Sequence, residues 1–167
     1  MTHATQDTLT KVSTEAATEF VLSYYPALRS SRETIASYYA SVTSTILFNG
    51  NVVADGPSVQ KIFMEQMPPA RYEVQSYDCQ IINLNYPIPP SAKPQSSVSQ
   101  VKNMSILVMV SGYVRFGDEK ETPDTANRGF SETFVLVPTA PGEAPAGPRG
   151  RGKKHWLIQS QNFRLVV

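Results

Sequence analysis

A chain of 167 residues is the size of one ordinary domain and is long enough to bury a core. With 41% hydrophobic and 17% charged residues and a formal net charge of +1, it is composed as a globular protein. That balance argues against a domain that holds nucleic acid through its overall charge, and against an acidic tail. A single cysteine, Cys79, excludes an intrachain disulfide and suits a reducing compartment. No basic-then-apolar leader opens the chain, and the longest apolar stretch (residues 106–110) is far too short for a bilayer. The expectation is an intracellular soluble protein without membrane contact.

In chain order, residues 8–28 form the first predicted element. Leu9, Val12, Ala16, Phe20, Tyr24 and Leu28 recur at helical spacing, with Ala17, Val21 and Tyr25 widening the stripe. Pro26 is expected to kink or end this helix. Ser30 and Glu33 stand in capping-box spacing and predict a second helix, with Ile35, Tyr38, Tyr39 and Val42 on one face. Residues 45–48 are β-rich and break at Asn49-Gly50, a pair that favours a two-residue hairpin turn; Val52-Val53 is the returning strand. Asp55-Gly56-Pro57 opens a third helix, with Pro57 suited to its first turn. Its stripe is Val59, Ile62, Phe63 and Met67, and Pro68-Pro69 stops it.

From there the period becomes strand-like. Residues 71–83, 98–117, 128–138 and 153–167 are strand candidates, long enough to imply one strongly curved sheet around the three helices, an α+β architecture. In the second of these, Ile106, Val108, Val110, Gly112, Val114 and Phe116 make an apolar face. The opposite face, Ser105, Leu107, Met109, Ser111, Tyr113 and Arg115, is neither a core pattern nor a plain solvent pattern, so something is expected to cover it. Two Pro-rich segments, residues 84–97 and 139–152, interrupt the strands and read as long connections within a single domain spanning 1–167.

The chemistry-bearing residues are few. His3, His155 and Cys79 do not make a zinc site, no phosphate-binding loop follows a strand, and no cofactor is implied. A Cys79–His155 nucleophilic pair is formally open, but a core cysteine and a surface histidine account for the same residues. A cone closed by helices can also house a proton-transfer enzyme. Asp78, one of two carboxylates in its strand pattern, is the candidate base there, although a lone strand Asp suits a structural or interface role better. The basic run Arg149, Arg151, Lys153, Lys154 and His155 reads either as a solvated loop tip or as an RNA-phosphate contact. Arg164, between Phe163 and Leu165, either snorkels to solvent or pairs with a carboxylate of a partner covering its face.

Several segments resemble the nuclear transport factor two family: FVLSYY (20–25), STILFNGNVV (44–53), GPSVQKIFMEQM (56–67) and PARYEVQSYDCQII (69–82). VSGYVRF (110–116), GFSETFVLV (129–137) and HWLIQSQNFRL (155–165) agree, so the resemblance covers most of the chain outside the Pro-rich insertions. Within the family the chain looks most like the small, non-catalytic subunit of the heterodimeric mRNA export receptor, in its fungal form, whose loops are similarly extended. The resemblance implies a cone of three helices in a curved antiparallel sheet whose outer face packs on the matching domain of a larger partner. Arg164 matches an arginine that pairs with an acidic residue of that partner. With Arg164, the partner-face candidates are Ser160, Asn162, Met109, Ser111, Tyr113 and Asp78, provided no β-bulge shifts the alternation. Phe-Gly nucleoporins, RNA or pre-ribosomal particles, and shuttling between nucleus, pore and cytoplasm are implied in the same way. The competing member is the homodimeric Ran-GDP carrier, for which Asp118, Glu119, Glu121 and Asp124 supply a comparable acidic loop.

Overall fold

The computed structural model describes residues 5–87, 103–117, 127–139 and 156–166. The basic run at 149–155, the acidic residues Asp118, Glu119, Glu121 and Asp124, and most of both Pro-rich segments lie outside the described residues. A long helix α1 (Gln6–Ser30) is followed by a 3-10 segment (Arg32–Tyr38), a short hairpin β1 (Ile46–Phe48) and β2 (Asn51–Val53), and helix α2 (Gly56–Lys61). Helix α2 runs on as one π-helical turn (Ile62–Gln66) before four long strands: β3 (Ala70–Asn83), β4 (Ser105–Phe116), β5 (Arg128–Pro138) and β6 (Trp156–Leu165).

Helix α1 begins where the Thr5 hydroxyl accepts from the Thr8 amide at 3.3 Å. Pro26 does not end it. The ring lies on the exposed side, where solvent can replace the missing N–H, and the helix continues to Ser30, whose hydroxyl donates to the Pro26 carbonyl at 3.0 Å. The capping box expected at Ser30 is therefore not formed: Ser30 belongs to α1, and the segment after it is a 3-10 turn whose cap, Ser31, makes no side-chain bond. Helix α2 does start at Asp55-Gly56-Pro57, with the Asp55 carboxylate accepting from the Ser58 amide at 2.9 Å. That bond holds the Asp55 carboxyl below its ordinary range. The helix ends are tied together by Arg32, whose guanidinium donates to the carbonyls of Phe63, Met67 and Pro68. Asn49 and Gly50 both take positive φ, as the hairpin turn requires.

The strands form one six-stranded sheet in the order β2-β1-β6-β5-β4-β3. The antiparallel sheet expected from the sequence is mixed in one place: β1 runs parallel to β6, pairing Ile46 with Gln161 and Phe48 with Phe163. A three-residue strand entered after a 3-10 turn carries no sequence signal of its direction. The remaining pairs are antiparallel.

Two bulges change which residues face inward. In β3 the register shifts between Val74 and Ser76, so Ala70, Tyr72 and Val74 face the helices before the bulge, and Cys79 and Ile81 after it. Tyr77 joins the second set, its hydroxyl reaching Thr18 of α1 at 3.1 Å. Gly112 makes this bulge possible, since a Cβ there would stand 2.0 Å from the Glu73 carbonyl oxygen. In β6 the shift at Gln159 puts Ile158 and Gln161 on the same inner side. The core between α1 and the sheet is aromatic: Phe20, Tyr24, Tyr25, Tyr38, Tyr72, Phe130 and Phe134 interlock with ring centroids 4.8–6.5 Å apart.

Candidate functional site: the outer face of the sheet

The face of the sheet turned away from α1 is built by strict pairing across strands. One row runs Val52, Leu47, Asn162, Thr133, Met109, Asp78, crossing all six strands from β2 to β3. A second runs Arg164, Ser131, Ser111, Ser76, and a third Ser160, Val135, Leu107, Gln80. All seven partner-face candidates therefore share one surface. Met109 (46% exposed) and Tyr113 (48% exposed) are its large apolar side chains on β4, and Asp78, Ser111, Asn162 and Arg164 are exposed around them. Ser160 is half-buried and donates to the Thr45 carbonyl at 3.0 Å, so it helps anchor the approach to β1.

The surface is polar at its centre and apolar in patches. Ser76 and Ser111 share a hydrogen bond of 2.8 Å. Asp78 uses one carboxylate oxygen on the Cys79 amide. Arg164 forms no ion pair among the described residues; its guanidinium lies over the hairpin turn, 3.7 Å from the place a Cβ on Gly50 would occupy. The turn is locked to β6 beside it, since the Asn49 amide donates to the Phe163 carbonyl and the Asn49 side chain accepts from the Leu165 amide. An unpaired guanidinium fixed at the edge of an apolar and hydroxyl-rich face suits a carboxylate arriving on another molecule.

The same strands carry a different chemistry on their inner side. Glu132, between the outward Ser131 and Thr133, is fully buried. Its two oxygens accept from the Tyr25 hydroxyl and the Gln161 amide, each at 2.7 Å. Gln161 also donates to the Tyr24 hydroxyl at 3.0 Å and accepts from Tyr39. Among the described residues no buried side-chain polar atom lacks a partner. Burial pushes the Glu132 carboxyl up to about 7, against the downward pull of its two hydrogen bonds, and pushes the Tyr24 and Tyr25 hydroxyls well above their ordinary value. Sequence reasoning missed this network, although the alternation Phe130, Glu132, Phe134, Leu136 was the signal that could have found it.

These placements correct the reading of Asp78 as a proton-transfer base inside the cone: it is on the outer face, away from the interior. The interior carboxylate is Glu132, and both its oxygens are already engaged. Cys79 is half-buried on the inner side, and His155 lies outside the described residues. The described residues hold no group of three or more His, Cys, Asp and Glu suited to a metal ion.

The nuclear transport factor 2 domain model matches residues 16–144, most of the chain. The chain belongs to the nuclear transport factor 2 family. NTF2-related export protein 1 of Bos taurus is 29% identical over 150 residues, spanning 90% of this chain and 86% of the relative. The solved structure of the Chaetomium thermophilum Mex67 NTF2-like domain complexed with Mtr2 matches with a TM-score of 0.71 and 27% identity, over 92% of this chain and 98% of that one. A Sac3N peptide bound to Mex67:Mtr2 gives a TM-score of 0.71 and 26% identity, over 92% and 99%. The α+β cone expected from the sequence is thus the NTF2 fold, with its sheet mixed rather than wholly antiparallel.

Proposed function

We propose that this chain is the small, non-catalytic subunit of a heterodimeric mRNA nuclear export receptor. Its outer sheet face docks the matching domain of a larger subunit, and the pair carries ribonucleoprotein through the nuclear pore by weak contacts with Phe-Gly nucleoporins. The chain then shuttles between nucleus, pore and cytoplasm. The observation that carries this reading is the outer face itself: exposed Met109 and Tyr113 beside an ion-pair-free Arg164, on strands whose other face is fully packed. Support comes from relatives. One is named as an export protein, and the Mex67 NTF2-like domain is known complexed with Mtr2. The basic run Arg149, Arg151, Lys153 and Lys154 is assigned to RNA or pre-ribosomal contact under the same reading.

An obligate interface of this kind buries upward of ~2,000 Å² in total, so association is strong and stoichiometric. Purification of the tagged chain from its own cells under native conditions, with mass spectrometry of what co-elutes, tests the reading. A one-to-one larger protein carrying an NTF2-like domain is expected, and its loss in Arg164→Glu would follow from removal of the cation. A clean homodimer that picks up Ran, with no larger protein, would overturn it in favour of the import carrier.

A further inference from the structure

The hairpin β1–β2 is small, but the pairing places it in the plane of the long strands. Leu47 pairs laterally with Asn162 and Val52 with Leu47, so both belong to the outer row that ends at Asp78. Val52 is 78% exposed, an aliphatic side chain on a strand with nothing over it among the described residues. Its neighbours on the same strands behave oppositely: Val53 and Ile46 are buried toward α2 and the core. The hairpin is also held stiffly. Both bonds from Asn49 to β6 fix its turn, and the Arg164 guanidinium rests against it. Exposed apolar surface on such a fixed element is continuous with the partner face, and Arg164 joins the two.

Size points the same way. Four strands spaced roughly 4.8 Å apart span about 14 Å centre to centre, while a standard interface of ~800 Å² per partner is about 28 Å on a side if square. Including β1 and β2 adds two spacings and carries the surface to about 24 Å. We propose that the β1–β2 hairpin is part of the docking surface, with Val52 and Leu47 covered by the outer sheet face of the larger subunit. This rests on the heterodimer reading above. The occupant is a second NTF2-like sheet, because only a broad, stiff face reaches Val52 and Met109 together.

The test uses the full chain and the purified NTF2-like domain of the same organism's Mex67-type protein, with affinity measured by titration calorimetry. Four variants at exposed positions are compared: Val52→Lys, Arg164→Glu, Met109→Lys and, as a control, Leu22→Lys. Leu22 is 67% exposed but sits on α1, behind the sheet. Circular dichroism confirms that each variant folds. A rise in Kd of tenfold or more for Val52→Lys, with Leu22→Lys unchanged, is the expected result. Wild-type affinity for Val52→Lys together with lost affinity for Arg164→Glu and Met109→Lys would overturn the hairpin's role and leave the docking reading standing. Unchanged affinity in all four, or no complex with the wild-type chain, would remove the docking reading and the hairpin's role with it.

Discussion

The two faces of β5 and β6 are built from alternate residues of the same strands, yet they follow opposite rules. Inward, Phe130, Glu132, Phe134, Gln161 and Phe163 are buried, and the buried polar groups among them are fully hydrogen-bonded. Outward, Ser131, Asn162 and Arg164 are exposed, and Arg164 makes no ion pair among the described residues. The inner face decides whether the chain folds; the outer face is left to decide what it binds. A polar network inside a closed core has no freedom to meet a ligand, whereas an open face with an uncommitted cation does.

Substitutions can break this comparison, and the largest effect is expected inside. Phe134 is fully buried against Phe20 and Tyr24, with centroids at 4.8 and 5.4 Å. Phe134→Ala removes that packing and is expected to lower the unfolding free energy by about 3–5 kcal/mol in urea titration. The next effect concerns pH. Glu132 keeps its proton up to about 7 in the fold against an ordinary value of 4.5. Between those values the folded state binds the extra proton. Its contribution to stability is therefore full below about pH 4.5 and is lost as pH rises through about 7, amounting to about 3 kcal/mol. The difference between wild type and Glu132→Gln, measured by urea midpoints across that window, should shrink or reverse in the direction that favours Gln as pH rises. A difference that stays flat with pH would show that the buried carboxyl is not the titrating group.

Gly112→Ala sharpens the geometric side of the comparison. A methyl group 2.0 Å from the Glu73 carbonyl forces the β3 bulge to move, at a cost of about 1–3 kcal/mol. Because the bulge sets which β3 residues face outward, this variant is also expected to weaken partner binding. The smallest effect on folding belongs to Arg164→Glu. The side chain is exposed and makes no ion pair among the described residues, so thermal stability should stay within about 0.5 kcal/mol of wild type while association is lost.

Much of this architecture was legible because β4 is regular. Its alternation from Ile106 to Val114 has no bulge, and one face is apolar throughout. The hairpin turn at Asn49-Gly50 and the start of α2 at Asp55 were legible for a similar reason: positive φ and a capping carboxylate are demands on single residues. The less legible features depend on distant partners. The bulges at Gln75 and Gln159 have no local marker, apart from the Gly112 that faces the first across the ladder. The parallel pairing of β1 with β6 joins residues more than a hundred positions apart. Glu132 looked like a surface acid because its burial is compensated by Tyr25 and Gln161, which lie on other elements. Val52 was read only as a returning strand. Its place in the outer row needs both the hairpin register and the β1–β6 pairing.

The methionines offer probes on each side of the molecule. Met109 is on the outer face, Met104 is buried in the core, and Met64 is exposed on the π-helical turn beyond α2. The central claim is tested most directly by recording methyl NMR spectra of methionine-labelled chain while the partner's NTF2-like domain is added. The outer-face account predicts that the Met109 methyl resonance shifts or broadens in a saturable one-to-one titration, while those of Met104 and Met64 stay in place. Movement of Met64 with Met109 unchanged would contradict it, and would put the partner on the helical side.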